Sequence, residues 1–284
     1  GTDDDWGTAG NWSPSGVPVN GDDVYFEDSS QDVASSLGQS GVTLDSLNIA
    51  QSYTGSIGSA TNYLQIGATV CKIGYQKGFG TPLGSARLKI DLGTAASNCT
   101  VFNTHTTPTD ANKGAVQLLA NSASTDIEVK KGKVSLAADS DETTTIDKMT
   151  VSYDSSKATD ARVTLGVGVD LADFDQTGGI VTSYSDNAMT TVNCLAGTLT
   201  IEGDGTITTL NASGGAVTAN GTGTITTATA EAGGVIDWTK SGRARTVTNC
   251  KVNAAGSIKY SNAVTYTNGI TTDDTQVCII GQAV

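Results

Sequence analysis

Apolar and polar residues alternate along most of the chain, in short runs broken by a glycine or a small polar cluster. A period of two marks half-buried β-strands. In the second half the alternation itself recurs. GGIVTS (178–183), AGTLTI (196–201), GGAVTA (214–219), GGVIDW (233–238) and AGSIKY (255–260) each set a glycine before an alternating strand. Ile180, Leu199, Val217, Ile236 and Ile258 are the inward-pointing candidates, 18 to 22 residues apart. A second register, TTVN (190–193), TTLN (208–211), TTAT (226–229) and RTVTN (245–249), recurs between them at about the same interval. Two strand registers recurring together predict a solenoid, in which each repeat is one coil and equivalent strands stack into long parallel sheets. The expected fold class is therefore all-β: a parallel β-solenoid (β-helix), right-handed, with coils of about 18–22 residues and an N-terminal cap. Recurrent Thr and Asn suit hydrogen-bonded ladders of like residues, and glycine at the repeated position suits a corner with positive φ. A β-sandwich of Thr-rich strands is the competing architecture.

The first half alternates less regularly, in VTLDSLNI (42–49), YLQIG (63–67), ARLKIDLG (86–93), AVQLL (115–119), DIEVKKGKVSL (126–136) and RVTLGVGVDL (162–171). Arg87, Lys89 and Asp91 fall on the outward positions of their strand. Longer intervals predict wider coils with larger loops at 74–84 and 103–114; a separate sandwich-like domain over 40–160 is the alternative. The resulting division is a cap or attachment segment at 1–40, irregular wide coils at 41–160, regular coils at 161–270 and a C-terminal cap at 271–284. Lys130, Lys131 and Lys133 around Gly132 read as the solvated rim of a hairpin.

Composition narrows the partners. The net charge of −13 would repel a phosphate backbone, and no segment carries a basic stripe, so nucleic acid is not expected. No apolar run is long enough to span a bilayer as a helix, so no membrane partner is expected either. Cys71, Cys99, Cys194, Cys250 and Cys278 are widely spaced in apolar stretches and read as small core residues. His105 is the single histidine, which leaves little for a histidine-based metal site or catalytic relay. No cofactor and no metal are expected.

Parallel β-helices nevertheless raise the question of glycan chemistry. Asp170, Asp173 and Asp175, and Asp139, Asp141 and Glu142, are local carboxylate clusters. A glycosidase needs two carboxyls about 5–9.5 Å apart beside aromatic platforms, and the sequence puts neither cluster next to Trp or Tyr. Solvated turns are the simpler reading. The Asp runs at 2–5, 21–23 and 272–274 match no EF-hand loop and suit backbone capping in turns. The sequons at Asn11, Asn98, Asn211 and Asn220 are expected by chance in so Asn- and Thr-rich a chain.

The first twenty-six residues are different in kind. Trp6 and Trp12, followed by GVPVNGDDVYF (16–26), together with TLDSLNIAQSYTGSIG (43–58), YLQIGA (63–68), RLKIDLG (87–93) and SGRARTVTNC (241–250), resemble a family of tailed-phage and prophage virion structural proteins. The resemblance implies a non-enzymatic role in the particle: a capsid decoration (cement) protein, a head fibre or a tail-associated β-helical protein. It implies the outer virion surface as location and the major capsid protein or another virion protein as partner. An acidic exterior suits an outward-facing component. A homo-oligomer is expected, with a trimer matching threefold capsid positions, and a host glycan is a further candidate partner. Trp6, Trp12, Pro14, Pro18, Tyr25 and Phe26 are the attachment candidates, because aromatic and proline residues give rigid contact area at small entropic cost. The same stretch is expected to cover the first exposed rung, with Val17, Val24, Tyr25 and Phe26 as apolar contacts and Asp22 and Asp23 holding the turn. Deleting residues 1–30 should then leave a folded solenoid. NW-x-x-G-x-P also resembles the start of autotransporter passengers, which makes a secreted adhesin the second expectation; a tailspike enzyme is the third.

Overall fold

The computed structural model describes residues 3–75, 87–102, 116–152, 161–240 and 242–272, and the backbone of 278–280. The predicted loops at 74–84 and 103–114, His105, and the side chain of Cys278 fall wholly or largely outside these residues. Every described strand pairing is parallel, which excludes the antiparallel sandwich for either half. Columns of inward side chains thread the molecule, and the first passes through every coil from Val24 to Ile270. It runs from Val24 through Leu47, Cys71, Cys99, Ile127 and Met149 to Phe174. It continues through Val192, Leu210, Ala228 and Cys250 to Ile270. A second column, Leu88, Val116, Val134, Val163, Val181, Leu199, Val217, Ile236 and Ile258, lines the other sheet. Each core residue is thus sandwiched between residues one coil away, and burying one such side chain is worth about 1.5–3 kcal/mol. Regular and irregular halves form one stack. Val70 lies opposite Asn98, a step of 28 residues, whereas Asp173 lies opposite Thr191, a step of 18.

The ladder begins before residue 40. Asp23–Phe26 is the first rung and pairs with Ser46–Ile49. Cys71, Cys99, Cys194 and Cys250 are all buried, the first two and Cys250 in the first column, as expected from their apolar neighbours. Two positions differ from the sequence reading. Val181, not Ile180, stacks with Leu199; Ile180 lies opposite Thr198 and is partly exposed, because the ladder slips by a bulge at Gly178 and Gly179. Gln176 fills the space beneath that bulge, its Nε2 donating to the carbonyls of Gly178, Gly179 and Thr198, each at 3.1 Å. The second difference is the lysine cluster. Asp126–Leu136 is one strand bent at Gly132, where φ is 97°, so the lysines flank a corner between two sheets and not a hairpin.

Corners explain the recurrent glycines. Gly197 has φ of 85°, and a Cβ there would stand 2.4 Å from the Gly179 carbonyl oxygen of the coil before. Both the positive φ and the approach of the neighbouring coil demand glycine. Gly197→Ala is expected to lower stability by about 2–4 kcal/mol, several times the usual cost of a positive-φ alanine alone. Urea unfolding followed by far-UV circular dichroism measures this; a loss under about 1 kcal/mol would mean the corner relaxes.

Outside the core, polar ladders join successive coils. Lys148 Nζ lies 2.5 Å from Asp175 Oδ2, Asn193 Nδ2 donates to Asp175 Oδ1 at 2.8 Å, and Asn211 Nδ2 donates to Asn193 Oδ1 at 2.9 Å. Partial burial alone would raise the Asp175 carboxyl, but the hydrogen bonds from Lys148 and Asn193 outweigh it and hold the carboxyl below its ordinary range. A group whose folded pKa is depressed contributes stability above the unfolded value and loses it as pH falls through the folded one. This contribution is therefore full above the ordinary aspartate pKa of about 4 and fades on further acidification. Asp175→Asn is expected to melt lower than the parent at neutral pH and to lose less on acidification to about pH 3, as thermal unfolding at the two pH values would show. Equal acid sensitivity in both proteins would place the effect elsewhere.

Candidate functional site: an acidic aromatic cleft in the N-terminal cap

The cap is built on the first rung. Trp6 N donates to Ser35 O at 3.2 Å, and Ala34 N and Ser35 N donate to Asp4 O at 2.9 and 3.1 Å, so residues 4–6 lie along 33–35 as a short parallel edge. From there the chain turns through a 3-10 turn at Ala9–Asn11. Asn11 ties that turn down, its Nδ2 donating to Asp3 Oδ1 at 2.6 Å and to Asp5 O at 2.8 Å. Asn11, with Thr8, holds the Asp3 carboxyl below the usual carboxylate range. Trp12 Nε1 donates to Trp6 O at 2.9 Å, which folds the second indole over the first. Their ring centres are 4.7 Å apart at 65°, and Phe26 lies 6.2 Å from Trp6 and 5.8 Å from Trp12. Tyr53, from the next coil, completes the cluster 5.1 Å from Phe26. Its hydroxyl donates to Gln31 O at 2.6 Å, and burial pushes that hydroxyl above the ordinary tyrosine range.

The six attachment candidates are divided by this packing. Trp6 is 0% exposed and Phe26 and Pro18 are buried, so they are core of the cap. Trp12 is partly buried, whereas Pro14 and Tyr25 face outward, Tyr25 at 55% exposure. Val19, at 59%, joins the outward set. Because Trp6 and Phe26 belong to the chain's own first coil, a 1–30 deletion removes a rung and does not leave an intact solenoid.

Beside the aromatic cluster lies a cleft of about 530 Å³. Trp12, Pro14, Val17 and Tyr25 contribute its apolar lining, and Asp3, Asp4, Asp5, Asp22, Asp23, Glu27 and Asp32 its carboxylates. Among the described residues, no Lys, Arg or His lines it. Several of these carboxylates accept from the cap's own donors: Asp5 Oδ1 from Gly7 N at 2.7 Å, Asp22 Oδ2 from Val19 N at 2.8 Å, and Asp32 Oδ1 from Ser56 N at 2.7 Å. Asp23 accepts from the Ser46 hydroxyl one coil away. These neutral donors hold the turns but leave the negative charge in place. The sequence reading put neither the 139–142 nor the 170–175 carboxylates beside Trp or Tyr; the fold instead gathers Asp3, Asp4, Asp5, Asp22, Asp23 and Asp32 around the aromatic cluster. The local part of this arrangement was visible in DDDW at 3–6 and DDVYF at 22–26, whereas Gln31, Asp32 and Tyr53 are brought there by the coil register.

In the other acidic clusters, some members are engaged structurally. Asp175 belongs to the Lys148 and Asn193 ladder, and Asp139 N donates to Glu142 Oε2 at 2.9 Å within a turn. Among the described residues, no group of three or more His, Cys, Asp or Glu side chains is disposed to hold a metal, and no helix is long and apolar enough to cross a membrane. No protein-family model, curated protein or solved structure matches the chain.

Proposed function

We propose that this chain is a non-enzymatic structural protein on the outer surface of a virus particle, a capsid decoration or head-fibre protein fixed to the shell by its N-terminal cap. The observation that carries the reading is the N-terminal cap. One continuous parallel stack ends in a cap whose interior is filled by the chain's own aromatics, while Tyr25, Pro14 and Val19 stay outward beside an acidic cleft. A stack of this kind is stiff because successive coils are hydrogen-bonded to one another, and a cap that leaves side chains exposed suits attachment there. The charge of the cleft favours a shell partner that presents Lys or Arg, since complementary charge steers encounter and fixes register.

The test is proteomic and structural. Purified particles should contain the chain at fixed stoichiometry, with rod-shaped density outside the shell in electron cryo-microscopy. Absence from the particles, or density only at the tail tip, removes the capsid assignment. Tyr25→Ser should lower occupancy on the shell without changing the melting temperature, because the side chain is exposed. A second reading comes from Trp12 and Tyr25, whose ring faces also suit a sugar. Unchanged shell occupancy in Tyr25→Ser together with weaker adsorption to host cells would favour glycan recognition at this cleft.

A further inference from the structure

Arg245 is a buried charge with no hydrogen-bonded counter-charge among the described residues. Arg245 is 4% exposed, and its guanidinium carbon lies 5.9 Å from the centre of the Trp238 ring, itself 1% exposed. Nε, Nη1 and Nη2 of Arg245 and Nε1 of Trp238 are all buried, and none has an acceptor among the described residues. Both side chains are donors only, so neither can satisfy the other.

Neighbouring acids are committed elsewhere. Asp204 accepts from Arg243 Nη2 at 2.9 Å and from Thr222 N at 2.7 Å. Asp237 accepts from Thr239 N at 2.9 Å, from Thr239 Oγ1 at 2.6 Å and from Lys259 Nζ at 3.3 Å. Burial pushes the guanidinium down to about 10 against the opposing pull of the Asp204 carboxylate, which still leaves it protonated at neutral pH. A buried cation with no partner is strongly destabilising, whereas the same cation beside an anion is not.

A Cβ on Gly221 would stand 3.0 Å from Arg245 Nη2 and 1.7 Å from Gly203 O, so glycine at 221 lets the guanidinium pack closely against the stacked turns.

We propose that Arg245 and Trp238 together hold a small monovalent inorganic anion of the halide class inside the solenoid. One guanidinium matches one negative charge. A doubly charged or bulky anion would be left undercompensated in so closed a place. The anion accepts from the guanidinium fork and the indole N–H at once, and so fixes the start of the RTVTNC strand against the preceding coil. This inference is independent of any role on a particle.

Bromide tests it directly. Crystals of the full chain grown in sodium bromide should show an anomalous peak within hydrogen-bonding distance of the Arg245 guanidinium and Trp238 Nε1. In solution, the melting temperature should rise by several degrees as sodium chloride replaces sodium gluconate at constant ionic strength, because gluconate is too large to enter. Arg245→Met should abolish the halide dependence. Should that variant fail to fold, Trp238→Phe, which keeps the ring and removes the donor, should reduce the dependence by at least half. Identical melting in chloride and gluconate, or no anomalous peak at Arg245 in the bromide crystals, overturns the proposal. A backbone carbonyl found accepting the guanidinium in those crystals overturns it as well.

Discussion

Trp6→Ala is expected to destabilise the N-terminal cap by about 3–5 kcal/mol, the cost of removing a fully buried large aromatic side chain. The indole is wholly enclosed, its ring packs on Trp12 and Phe26, and the Trp6 backbone carbonyl accepts the Trp12 indole N–H. Removing the side chain therefore loses two aromatic contacts and loosens the segment that lies along Ser35. In a solenoid each coil touches only its neighbours, so the damage should stay at that end. Trp12 is then the one remaining tryptophan in the cap, and its fluorescence should report a transition at lower urea than far-UV circular dichroism reports for the coils. An opened cap also uncovers the edge of Asp23–Phe26, which becomes free to pair with another chain. Size-exclusion chromatography should show larger species that the parent lacks. A monodisperse variant with one unshifted transition would mean that the cap does not close the end.

Leu210→Asp should be more damaging still, and in a different place. Leu210 is fully buried between Val192 and Ala228 in the central column, with coils of 18 residues on either side. The interior offers an aspartate no cation and no water, so the loss exceeds the roughly 2–5 kcal/mol of a Leu→Ala cavity. The stack should part at this coil. Limited proteolysis is expected to leave a resistant N-terminal fragment and to degrade the coils C-terminal to the break, whereas the parent resists throughout. Thr208→Asp is the control: its side chain faces solvent two residues away, and its effect should stay within about 0.5 kcal/mol. A Leu210→Asp protein as resistant as the parent would contradict the continuous core.

These two substitutions lie at opposite extremes of legibility. Leu210 could be placed from sequence, because TTLN recurs with TTVN and TTAT at a fixed step and like residues must stack when a coil repeats. The Asn193 and Asn211 ladder was readable for the same reason. Ile180 was not: Gly178 and Gly179 hide a bulge that moves one residue out of register, and a one-residue slip exchanges inside for outside. Nor was the bend at Gly132, since glycine serves a hairpin and a corner equally well. The GxG turns at 203–205 and 221–223 did carry a signal, a spacing of 18 residues like that of the strands. Their purpose, letting successive turns approach to where no Cβ fits, appears only in three dimensions.

The cap shows the boundary most clearly. By its sequence, the opening stretch combined aromatics, prolines and carboxylates, which suit both a lid and an anchor. Packing assigned Trp6, Pro18 and Phe26 to the lid and left Tyr25, Pro14 and Val19 on the surface. Local alternation and an 18-residue repeat were enough to determine a parallel β-solenoid, because both depend only on which residues recur at which step. The Asp32 and Tyr53 side of the acidic cleft and the burial of the Arg245 guanidinium beside Trp238 were decided by tertiary structure. Each depends on how the coil path brings segments side by side, and loops of unequal length set that path without leaving a periodic mark in the sequence.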